Sequence, residues 1–168
     1  MPILLTFTFG LIALLCWIFA MWGDSAARKI FVFGLVAVII ADLLGSLVGL
    51  LSPALSIGSG WWTIIKLVLL APIIEEGVKA GAARSRAKPR EIFALVSLFG
   101  IFELMLSKPL AMIGAQLWSD AFIALPALAM HLLTAAIYAY RFKGHIFVQL
   151  LVCVIIHAAF NAAVYWLL

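Results

Sequence analysis

Long apolar runs constrain this chain more than any other feature. Stretches of roughly 16 to 23 residues with almost no charge follow one another along nearly the whole sequence, and roughly 20 such residues let a helix cross the hydrocarbon of a bilayer. Of the 168 residues, 67% are hydrophobic and 11% charged. Soluble domains carry about twice that share of charge and are only about half apolar. The composition therefore calls for an all-α integral membrane protein, a single domain over residues 1–168 built as one bundle of about six transmembrane helices.

The expected spans are residues 3–22, 30–51, 61–83, 91–106, 119–140 and 146–168. Turn chemistry separates them: Gly23-Asp24, Ser52-Pro53 and Ser107-Lys108-Pro109 each close a run. Residues 107–118 are then too few to span and are expected as a re-entrant or interfacial piece. Pro72 and Pro126 are expected kinks. Gly45 with Gly49, and Gly77 with Gly81, offer small faces for a closely packed neighbour.

The net charge is +4, and the basic residues gather in alternate loops. Arg28 and Lys29 occupy the first, Arg84, Arg86, Lys88 and Arg90 the third, and Arg141 and Lys143 the fifth. The positive-inside rule places these loops in the cytoplasm and both termini outside. It also accounts for the positive charge without nucleic acid, which is not expected as a partner. The N-terminal run has no basic residue ahead of it and reads as a retained first span. Cys16 and Cys153 both fall in apolar runs, so no disulfide framework is expected, and Cys153 reads as a packing residue.

Against this background a few polar residues stand out. Glu75 and Glu76 are adjacent within an apolar segment, with Lys79 one turn on. A charge held in hydrocarbon is costly enough that it marks function by default. Counting 1.5 Å per residue from the basic loops puts Glu75 about 14 Å deep, His131 about 15 Å, His157 about 18 Å and Glu103 about 20 Å. In a core about 30 Å thick, these groups from four spans share one slab. His157 and Asn161 share a helix face, as do Phe99 and Glu103. A carboxylate beside an imidazole can activate water, and an imidazole with an amide can donate to an oxyanion. The same Glu and His set could hold Zn²⁺ or another divalent cation, with Glu75, Glu103, His131 and His157 as candidate ligands.

The array EExxK (Glu75, Glu76, Lys79), FxxxE (Phe99, Glu103), a lone His131 and HxxxN (His157, Asn161) resembles the CAAX-protease/bacteriocin-processing/PrsW superfamily of intramembrane proteases. The four motifs occur in order over residues 61–168, each in its own expected span. Prenyl-protein endopeptidases of that superfamily usually carry histidine where this chain has Glu103, so the array is most similar to the PrsW branch, which cleaves a membrane-anchored anti-sigma factor. The resemblance implies an endopeptidase of a prokaryotic plasma membrane acting on a membrane-anchored protein or peptide. It implies Glu75 as general base, Glu76 as its support, Glu103 as a water-binding group, His157 and Asn161 as oxyanion donors and His131 as a polar wall. Relatives are classed both as metallopeptidases and as metal-free glutamate proteases, so a cation stays open.

Other readings differ in kind. A non-catalytic scaffold of the same superfamily would lack the glutamate pair, which is present here. A small proton- or ion-coupled transporter would also use buried Asp, Glu and His, but no internal repeat is visible. The bland reading of Glu75 and Glu76 is an ion pair with Lys79 that staples helices. Lys79 itself is expected to snorkel to the inner surface and Lys66 to the outer one. Asp42 lies at the site's depth without matching a motif; structural pairing with a lysine is the expected role, with capping of the polar cluster or lining of a water path as the alternatives.

Overall fold

A computed structural model of the chain describes residues 2–50, 59–86, 88–111, 117–141 and 145–167. These residues form six helical rods: α1 (Pro2–Ala20), α2 (Ala27–Gly49), a composite third, α5 (Pro89–Ala111), α6 (Leu117–Ala136) prolonged by a π-helical turn Ile137–Arg141, and α7 (Ile146–Leu167). The third consists of α3 (Ser59–Ile64), a π-helical stretch Ile65–Leu70 and α4 (Ala71–Arg84). No strand occurs among the described residues. The protein is all-helical.

Two helices, Ala27–Gly49 and Ile146–Trp166, are long and apolar enough to cross a membrane. Their outward faces are apolar: Leu43 and Leu47 on α2, and Phe147, Leu151 and Ile155 on α7, are all exposed. The interior holds Glu76, Lys79, Glu103, His131, Thr134, Gln149 and His157, each under a tenth exposed. A soluble domain distributes these residue types the other way round.

Helix α5 is the axis of the fold. Its stretch ALVSLFGIFEL is apolar nearly all round, as a helix surrounded by protein must be, and Ala94 to Leu104 are buried without a break. It packs against α1, α2, α4 and α6. On one side Trp17, Ile30, Val38, Leu95, Leu98 and Phe102 form an apolar core, crossed by a hydrogen bond from Trp17 Nε1 to the carbonyl of Ala94 at 2.8 Å. Along the other side run α4, α6 and α7, with Ala80, Ala83, Val96, Ala135, Tyr138 and Cys153 packed together. Cys153 is buried and packs as expected.

Three expectations need correction. Helix α5 does not stop at Ser107-Lys108-Pro109 but runs on to Ala111. One proline removes a single amide donor, and a helix whose other bonds are intact can continue through it. The short piece expected over residues 107–118 is therefore partly helix α5 and partly the start of α6, with 112–116 outside the described residues. Likewise, the loop expected over Ser52 to Gly60 gives its last two residues to α3, and 51–58 lie outside the described residues.

The glycine pairs are the third correction. A Cβ on Gly45, Gly77 or Gly81 would meet nothing within 4 Å, and one on Gly49 would meet only the end of Lys66. The close approaches lie elsewhere, at Gly34 against Leu98 and at Gly100 against His131, where any Cβ would overlap the imidazole's own Cβ. Four-residue spacing says that a small face exists. It does not say which helix arrives there.

Candidate active site

The acidic pair enters the bundle on α4, just below the π-helical stretch. At that joint the amide of Ala71 donates to the carbonyl of Lys66, five residues back, so the helix is one residue wider than an α-turn. In this wide register the carbonyl of Leu67 falls to Pro72, which has no N–H to offer. Asn161 on α7 supplies the missing donor, its Nδ2 reaching Leu67 O at 2.8 Å. Asn161 thus fixes α7 to the start of α4. That engagement takes one of its two amide hydrogens away from the oxyanion role expected of it.

One turn lower, a continuous polar chain crosses four helices. His157 Nδ1 lies 2.9 Å from Glu76 Oε1, and Lys79 Nζ donates to the same oxygen at 2.6 Å. Lys79 Nζ also donates to His131 Nδ1 at 2.9 Å, and His131 Nε2 lies 2.9 Å from Glu103 Oε2. From the other face of α4, Glu75 Oε2 approaches His157 Nε2 at 3.6 Å. The two imidazoles stand perpendicular with centroids 5.5 Å apart. The lysine's ammonium also sits 4.7 Å over the Phe99 ring, a favourable cation–π placement in a dry interior.

Lys79 overturns its expected role. It is 1% exposed and lies at the centre of the chain, not at the inner surface. Three residues after Glu76 on the same helix, it is held by carboxylates that cannot be left in the interior without a cation. Lys66, by contrast, lies beside Gly49 at the end of α2.

Partner chemistry assigns the imidazole protons. An ammonium has donors and no acceptor, so His131 Nδ1 accepts from Lys79 and its proton sits on Nε2, toward Glu103. Glu76 as a carboxylate only accepts, so His157 carries its proton on Nδ1 and turns the Nε2 lone pair toward Glu75. This bears on metal binding. One ligand atom each from Glu75, Glu103 and His131 lie within 4.8 Å of one another, a spacing a divalent cation could use. The donor set fits by distance, but ligation by His131 Nε2 requires a lone pair where Lys79 puts a proton. His157 has the correct lone pair and stands outside that triplet.

The six expected site residues therefore come together with Lys79, in two layers. Glu76, Lys79 and His131 form the buried layer. Glu75, Glu103, His157 and Asn161 line a cavity of about 450 Å³ with Leu67, Ala71, Val164 and Tyr165. A second cavity of about 320 Å³ reaches the same Glu75 and Glu103 from the α2 side, lined also by Asp42, Ser46 and Lys66.

Several contributors carried no sequence signal beyond their type. Gly100 lets α6 approach α5 closely enough for His131 to meet Glu103, almost one turn along. Tyr138 donates its hydroxyl to the Glu76 carbonyl at 3.2 Å, tying the end of α6 to α4. Tyr165, near the C-terminal end of α7, lines the larger cavity. Compared with protein families, with curated proteins and with solved structures, the chain matches none.

Proposed function

We propose that the protein is an intramembrane endopeptidase resembling the PrsW branch of the CAAX-protease/bacteriocin-processing superfamily. It is read as a six-span bundle of a prokaryotic plasma membrane with both termini outside, hydrolysing a peptide bond of a membrane-anchored protein. The membrane placement rests on the apolar outer faces of α2 and α7 around a charged interior. One observation carries the chemistry: Glu75 and Glu103, from different helices, meet at the floor of a cavity walled by His157 and Asn161.

In this reading a water molecule sits between Glu75 and Glu103. Glu75 takes one of its protons as the oxygen attacks the carbonyl carbon of the scissile bond. The second amide hydrogen of Asn161 is free to meet the oxyanion. Collapse breaks the C–N bond, and the proton held by Glu75 passes to the leaving amine. His157, whose Nε2 lone pair faces Glu75, is placed to share the proton that Glu75 takes from water. Glu76 fixes the orientation of His157 through Nδ1. No step requires a cation.

The decisive assay follows cleavage of a substrate tethered to the same vesicles by purified protein, with and without chelator. Glu75→Gln lowers the rate about 10²–10⁴-fold, the contribution of a general base, with unfolding unchanged. A folded Glu75→Gln variant that retains full activity would falsify the assignment.

A second reading has its own observation. The chain from His157 through Glu76, Lys79 and His131 to Glu103 has the form of a proton relay. Acidification of protein-loaded vesicles under a proton gradient, lost in Glu103→Gln, would favour transport over hydrolysis.

A further inference from the structure

Hydrolysis inside a membrane has to bring two reactants of opposite solubility to one pair of carboxylates. Two adjoining cavities reach Glu75 and Glu103 over one face of the rod formed by α3, the π-helical stretch and α4, and they share Leu67 and Ala71 as well. One lies against α2 and the other against α7. Beyond the shared residues, their linings differ in the charged groups they add.

The α2-side cavity of about 320 Å³ carries Asp42, Ser46 and Lys66 in addition to the site's own carboxylates. Asp42 and Ser46 are one turn apart on α2, and Lys66 to Glu75 spans about 14 Å along the facing rod. A Cβ on Gly49 would lie 3.4 Å from Lys66 Nζ, so the cavity's upper end lies beside the C-terminal end of α2. Polar side chains therefore run from that end down to Glu75. Asp42 is exposed and has exposed Leu43 and Leu44 beside it on one of the two span-length apolar helices. A carboxylate there needs an opposite charge or water beside it, and the cavity sets Lys66 and Ser46 in the same lining as Asp42. At about 30 Å³ each, the cavity has room for on the order of ten waters.

The α7-side cavity of about 450 Å³ adds no charge beyond Glu75, Glu103 and His157. Leu67, Ala71, Val164 and Tyr165 make up the rest with Asn161, an apolar and aromatic wall with a few converging polar groups. Ligand sites have that composition and size.

We infer that the two cavities divide the reactants: the Asp42–Ser46–Lys66 cavity is the path by which water reaches the carboxylates, and the His157–Asn161–Tyr165 cavity holds the peptide segment. This inference rests on the hydrolytic reading of the site. Water arrives along α2 and the peptide lies along α7, so each enters without displacing the other.

The test uses the full chain in lipid vesicles, with exposed Cys16 replaced by Ser and buried Cys153 retained. Single cysteines at Ser46 and at the exposed apolar Leu47 are treated with a permanently charged methanethiosulfonate. Ser46→Cys reacts at least ten times faster than Leu47→Cys. Equal rates, or no reaction at Ser46→Cys, overturn the water path whatever the enzyme does. Gly45 lines this cavity and a Cβ there meets nothing within 4 Å, so the added side chain of Gly45→Leu occupies the cavity. It lowers kcat at least fivefold with KM unchanged, and Val164→Trp, in the other cavity, raises KM instead. The opposite pattern overturns the division. Vesicles that show the labelling difference but no cleavage by the parent protein would instead count against hydrolysis.

Discussion

The two sides of α5 are held together by different physics. Toward α1 and α2 the contact is apolar packing around Trp17, Ile30, Leu98 and Phe102, with Gly34 admitting Leu98. Toward α4, α6 and α7 it is a chain of charged and imidazole groups with contacts of 2.6–2.9 Å. The apolar side tolerates loss by degrees, because each methyl group contributes separately. The polar side does not, because deleting one member strands a neighbour's charge in a medium that cannot solvate it. Glu75 and Glu76 repeat this contrast within a single helix. Glu76 is fully buried, with Lys79 and His157 both held on its Oε1, whereas Glu75 lines the cavity. Adjacent residues on a helix point about 100° apart, and that rotation alone separates a fully buried carboxylate from one that lines the cavities.

This contrast can be broken experimentally, most sharply at Lys79. Lys79→Met leaves Glu76 without its cation and lowers stability by about 3–5 kcal/mol in reversible detergent unfolding. Adding Glu76→Gln recovers most of that loss. A single-variant cost below about 1 kcal/mol would show that the buried layer is not held by charge. Next in size is Gly100→Ala, whose Cβ overlaps His131. The overpacking costs about 1–3 kcal/mol and, if the site is hydrolytic as proposed, weakens cleavage by shifting His131 from Glu103, whereas Gly45→Ala stays within about 0.5 kcal/mol. The smallest effect falls on Asn161→Leu, which orphans the Leu67 carbonyl. Side-chain hydrogen bonds between membrane helices are worth about 0.6 kcal/mol on average and up to about 1.7, so the stability change lies in that range. The accompanying fall in kcat exceeds it if the amide also serves the oxyanion.

Much of the site was legible because membrane sequences make polarity conspicuous. Glu75, Glu76, Glu103, His131, His157 and Asn161 could be picked out as costly residues at one depth, and depth along a helix is a linear count. Direction around the helix was harder to read. Lys79 was assigned to the inner surface because a long side chain can reach it, and nothing local says that a carboxylate and an imidazole wait on the inward face. The glycines failed in the same way. Spacing reveals a small face, while the approach of His131 to Gly100 depends on how α6 crosses α5.

By itself, then, the sequence determined an all-helical chain, its rods to within a few residues except at Pro109, and the residue types of a polar interior. Apolar periodicity and the cost of unpaired charge are local properties that a single chain reports. Only the tertiary structure decided that Lys79 bridges Glu76 and His131, that Asn161 completes the carbonyl left open by Pro72, and that Glu75 and Glu103 face two cavities. Those outcomes depend on helix rotation and crossing, which are set by packing among elements far apart in sequence.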